Sequence, residues 1–131
     1  MKKLFIIIVM LLSFLSTEAI AQDYKIMYDS SYSDEDNVWK YESTVFCISE
    51  DLSSLIVEYF PSKKQIKLER ISRLNKGATN SGYKYYGANY YNSASKETVL
   101  VQFFEDQEFG IRITKKAGPS IQYAGTVWIK N

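Results

Sequence analysis

From Tyr24 onward the chain breaks into apolar runs of five to nine residues, each closed by turn-forming residues. Runs of that length favour strands over helices, and no segment carries a helical stripe. Phe109, Ile111 and Ile113 alternate with Gly110, Arg112 and Thr114, and Ile121, Tyr123, Val127 and Ile129 oppose Gln122, Thr126 and Lys130. A period of two puts one set on a core face and the other toward solvent, as in an antiparallel sheet wetted on one side. The pattern predicts strands near Tyr24 to Tyr28, Trp39 to Ile48, Leu55 to Phe60, Gln65 to Arg73, Tyr83 to Tyr86, Ala88 to Ser93, Thr98 to Phe104, Phe109 to Thr114 and Ile121 to Ile129. Turns are expected at Ser49-Glu50-Asp51, Pro61-Ser62-Lys63, Tyr86-Gly87-Ala88-Asn89, Ser93 to Lys96, Glu105-Asp106-Gln107 and Gly118-Pro119, with an exposed loop from Asp29 to Asn37. Short connections favour sequential neighbours, and about eight strands on one core favour closing the sheet so that no edge is left bare. The expected fold is all-β, a small antiparallel up-and-down barrel of about eight strands, with a β-sandwich as the alternative.

Ahead of these strands lies a segment of another kind. Lys2 and Lys3 precede an unbroken apolar run from Leu4 to Leu12, and polarity returns at Ser13, Ser16, Thr17 and Glu18 before Ala19-Ile20-Ala21. That order is a secretory signal, with small residues at Ala19 and Ala21 for the peptidase and cleavage expected before Gln22. The apolar run is too short to span a bilayer, which takes about 20 such residues, so no stable membrane insertion is expected after cleavage. Residues 1–21 are therefore read as signal and 22–131 as a single β domain, exported to the periplasm or the outside of the cell.

About 110 of the 131 residues remain, enough for one core and too few for two. Removing Lys2, Lys3 and Glu18 from sixteen basic and fifteen acidic residues leaves fourteen of each, and a neutral domain has no electrostatic footprint for nucleic acid. Cys47 is the only cysteine, so no intramolecular disulfide can form, and its neighbours Val45, Phe46 and Ile48 suggest a buried small hydrophobe. There is no histidine, which removes the usual general base and the commonest zinc ligand. We expect no enzyme, no catalytic residues, no cofactor and no metal. The acidic loop with Asp29, Asp34, Glu35, Asp36 and Asn37 lacks the glycine and distal glutamate of a calcium loop. The carboxylates Glu105, Asp106 and Glu108 sit at a hairpin tip, where nothing desolvates one of them into a general acid.

The most unusual local feature is Tyr83, Tyr85, Tyr86, Tyr90 and Tyr91. Tyrosines pack sheets and also anchor glycan, ligand and protein contacts. Alternation places Tyr85 and Tyr86 on opposite faces, so part of the cluster is expected at the surface.

The cluster opens with Ser81-Gly82-Tyr83-Lys84-Tyr85. This resembles the SGxxY motif of the bacterial periplasmic and membrane-bound inhibitors of C-type lysozyme, which are small exported eight-stranded barrels. In that family a short turn, an aromatic strand and a loop with a functional lysine follow; here Tyr86-Gly87-Ala88-Asn89, Tyr90-Tyr91 and Lys96 follow in the same order. The resemblance runs from Ser81 to Thr98. Lys96 is followed by Glu97 where the family usually has glycine, and the family's frequent cysteine pair is absent. The resemblance implies that Ser81 and Lys96 enter a lysozyme cleft together and meet its catalytic carboxylates.

Together these readings predict a secreted, non-enzymatic recognition module. Its partner is a protein, with a lysozyme as the named candidate, or a small ligand or glycan. The expected contact residues are Ser81, Gly82, Tyr85, Tyr86 and Lys96, with the barrel mouth as the other place for a ligand.

Overall fold

The computed structural model describes residues 24–106, 109–116 and 118–130. The expected signal segment 1–21, Gln107, Glu108 and the chain end Asn131 lie outside them. Ten strands form one antiparallel sheet: β1 (Tyr24–Ser33), β2 (Val38–Lys40), β3 (Thr44–Ile48), β4 (Ser54–Tyr59), β5 (Lys64–Arg70), β6 (Asn75–Ala78), β7 (Lys84–Asn92), β8 (Glu97–Phe104), β9 (Ile111–Lys115) and β10 (Ser120–Lys130). Eight of them close into a barrel in the order β1-β3-β4-β5-β7-β8-β9-β10, with β10 returning to β1. The other two lie outside it, β2 on the end of β1 and β6 on the start of β7.

The alternation that predicts the strands also fills the barrel. Ile26 and Tyr28 from β1, Phe46 and Ile48 from β3, Leu55 and Val57 from β4, Val99, Val101 and Phe103 from β8, and Ile111 from β9 all point inward and are buried. Phe46 meets Tyr28 edge-on at 5.7 Å and Tyr123 at 5.0 Å, an arrangement that matches ring edges to ring faces.

Four expectations change. Trp39 to Ile48 is not one strand: β2 ends at Lys40 and β3 begins at Thr44. The segment from Asp29 is not all loop, because β1 continues to Ser33 and only Asp34 to Asn37 turn. Ser30 belongs to that strand because its hydroxyl donates to the Ala124 carbonyl at 2.9 Å, a partner on β10 that a local reading cannot supply. Tyr86-Gly87-Ala88-Asn89 is not a turn either, since β7 runs straight through it, pairing Gly87 with Gln102 and Ala88 with Val101. Here glycine makes room instead of a bend: a side-chain carbon on Gly77, opposite Tyr85, would lie 2.5 Å from the Tyr85 ring, and one on Gly87 would lie 3.2 Å from it. Finally, Cys47 is half-buried on the outer face between the inward Phe46 and Ile48, not a core residue.

Candidate functional site

The five residues singled out in the sequence divide by location. Ser81 and Gly82 sit exposed in the β6–β7 turn, where Gly82 takes a positive φ of 91° and its N–H donates to the Thr79 carbonyl at 2.9 Å. Tyr85 lies on the outer side of β7, over Gly77 and 5.4 Å from the Phe104 ring. Tyr86 faces the other way, toward the core, with the Lys76 ammonium 5.7 Å from its ring centre. Lys96 is exposed in the β7–β8 turn, which Asn92 organises by accepting the N–H of Ala94 at 3.0 Å and of Ser95 at 3.3 Å.

These positions do not form one patch. Ser81 precedes β7 and Lys96 follows it, so a straight nine-residue strand separates them, about 30 Å at strand rise. The turn expected at Gly87 would have folded the segment back and brought the two to the same end. Without it they stand at opposite ends of the barrel.

A different site lies at the end that carries Lys96. Strand β5 pairs with β4 along its whole length but with β7 only through Glu69 to Tyr91 and Arg70 to Tyr90. Since β7 ends at Asn92, the stretch of β5 from Lys64 runs on past the end of β7, and the space between it and the β7–β8 turn opens into the barrel as a cavity of about 450 Å³. Its walls are Ile66, Leu68, Val99, Ile113 and Ile121. Lys64, Glu97 and Lys115 stand among its lining residues.

Tyr59 and Tyr123 line this cavity and also a neighbouring depression of about 340 Å³, whose remaining lining includes Ser31, Ser33, Glu35, Asp36 and Glu42. Their hydroxyls lie 3.1 Å apart and share one hydrogen bond. Burial pushes both phenols above the usual tyrosine range, Tyr123 the further, with the neighbouring Tyr59 adding to the shift. Both therefore stay protonated at neutral pH. One proton joins the pair and the other is free to be donated to a ligand.

Among the described residues, Glu50 is the only buried carboxylate, and it lies in the β3–β4 turn at the far end. Also among the described residues, no three acidic or cysteine side chains group closely enough to hold a metal ion. Asp106 and Glu105 are described at the β8–β9 tip; Glu108 is not.

Sequence reasoning named the barrel mouth and, at its rim, Lys96, but none of the cavity's wall residues as a site. The inward Ile, Val and Tyr positions are legible from alternation, whereas the gap depends on the register between β5 and β7, which no local pattern encodes. No family model, curated protein or solved structure matches this chain.

Proposed function

We propose that this chain is a non-enzymatic binding protein that holds a small ligand in the open mouth of its barrel. The observation that carries the reading is the 450 Å³ cavity between β5 and the β7–β8 turn, with aliphatic walls and two protonated phenols. Its volume falls within the range of about 300–1,000 Å³ typical of small-molecule sites, which pair mostly apolar walls with a few polar groups that orient the ligand. Phenols held in the neutral form can donate a hydrogen bond to a ligand acceptor.

Ile66 is a half-buried wall residue of the cavity, and Ile66→Trp should fill the space without disturbing the far end, where Glu50 lies. A ligand-observed NMR screen of small amphiphiles and short oligosaccharides against the purified chain tests the reading. Hits should shift the resonances of Val99 and Ile113 and should bind at least tenfold more weakly to the Ile66→Trp protein. If hits bind the filled variant equally well, the ligand site is elsewhere and the reading is wrong.

A further inference from the structure

The charge around the same cavity narrows the ligand class, an argument that rests on the mouth being a ligand site. Lys64 from β5 and Lys115 from β9 both line it, against the single carboxylate of Glu97. Next to it is a second depression lined by Lys96, Lys115 and Lys116, again with Glu97 as the one acid. On the side away from the depression with Glu35, Asp36 and Glu42, the rim thus carries four lysines and one glutamate.

Those lysines are not spoken for. Among the described residues the ion pair within 4.0 Å is Lys67 with Glu69, on the exposed surface of β5, and neither Lys64, Lys96, Lys115 nor Lys116 has a carboxylate that close. An unpaired ammonium beside an apolar wall is a ready partner for an anion whose remaining surface is apolar. The free phenol proton of the Tyr59 and Tyr123 pair adds a neutral donor suited to a carboxylate, sulfate or phosphate oxygen.

We propose that the mouth selects an anionic single-chain amphiphile. The chain lies against Ile66, Leu68, Val99 and Ile113, and the head group is met by Lys64 and Lys115. The stretch of β5 beyond the end of β7 gives the chain its entrance. A cationic amphiphile would set its charge against the lysine rim, and a neutral one would leave that rim unused.

Four probes sharing one chain, decanoate, decyltrimethylammonium, decanol and decyl maltoside, separate the alternatives when titrated below their micellar concentrations by calorimetry and methyl NMR. Decanoate should bind at least tenfold more tightly than decyltrimethylammonium, and its affinity should weaken as salt is raised. The Lys64→Glu/Lys115→Glu double variant should lose decanoate affinity at least tenfold while decanol affinity holds. Equal binding of all four probes, or a preference for the cation or the maltoside, overturns the anionic selection yet leaves a ligand site in the mouth. If no probe shifts the mouth methyls, the inference and the function proposed above both fall.

Discussion

The two ends of the barrel are built from the same alternating strands and reach opposite results. At the Glu50 end the interior is filled: Leu52, swung inward by a positive φ of 59° in the β3–β4 turn, is fully buried, and its carbonyl accepts the Tyr90 hydroxyl. Ile48 and Leu55, paired with each other next to that turn, are fully buried with it. At the Lys96 end the walls are mostly Ile, Leu and Val, no turn residue among the described residues is buried as Leu52 is, and β5 runs on past the end of β7 after two residue pairs. A sheet can therefore be sealed by large side chains and one inserted turn, or left open by losing a few rungs of one ladder. Recognition chemistry is expected at the second kind of end, where apolar walls are not already covered by protein.

The widest difference should appear on truncation. Phe46→Ala removes a fully buried ring that touches both Tyr28 and Tyr123, and it should cost about 3–5 kcal/mol in denaturant unfolding. Ile66→Ala trims a half-buried wall beside space that already exists, so it should cost less than about half of that. Equal costs would mean that the mouth is packed shut in solution.

Alkaline pH probes the phenols of the filled interior and of the mouth together. Burial raises the pKa of Tyr28 in the filled interior and of Tyr59 and Tyr123 at the mouth above the free value of ~10. The unfolded chain then gives up these protons first. Stability is intact below pH ~10 and declines above it, by at most about 1.4 kcal/mol per pH unit for each phenol, until the folded phenols titrate. Unfolding midpoints measured from pH 8 to 11 should be level up to about 10 and then fall; a level profile throughout would mean that these rings are solvated.

Much of the barrel was legible in the sequence because its cause is local: alternation in Phe109 to Ile113, and turn chemistry at Pro61 to Lys63 and Ser93 to Lys96. What was not legible depends on partners far along the chain. Gly87 reads as a turn until the Tyr85 ring is seen to lie against it and Gly77, and Ser30 reads as loop until Ala124 supplies its acceptor. The mouth belongs to the same class. Gln65 to Leu68 read as an ordinary strand, and only the pairing of β7 shows that one edge of it is left unmatched.

The same hydroxyl in two settings sharpens the contrast between the filled interior and the mouth. The Tyr28 hydroxyl is buried with no hydrogen-bond partner among the described residues, so Tyr28→Phe removes an unsatisfied polar atom and should be neutral or stabilising by up to about 1–2 kcal/mol. Tyr123→Phe breaks the bond to Tyr59 and should cost about 1 kcal/mol. Chemical denaturation of the two variants decides it, and a larger loss at Tyr28 would show that its hydroxyl is satisfied after all.

The smallest effect expected is the one that the lysozyme-inhibitor resemblance makes large. If Ser81 and Lys96 entered one cleft together, their substitutions would be coupled, since residues sharing a partner usually are. Placed at opposite ends of β7, about 30 Å apart, they share no loop and touch no common group. In a C-type lysozyme lysis assay, Ser81→Ala, Lys96→Ala and the double variant should therefore show a coupling energy below about 0.5 kcal/mol, whatever inhibition the parent protein displays. A coupling of 1 kcal/mol or more, on the order seen for residues in contact, would require the chain to fold back at Gly87 in the complex. It would restore the turn that the sequence suggests and join the two ends that this barrel holds apart.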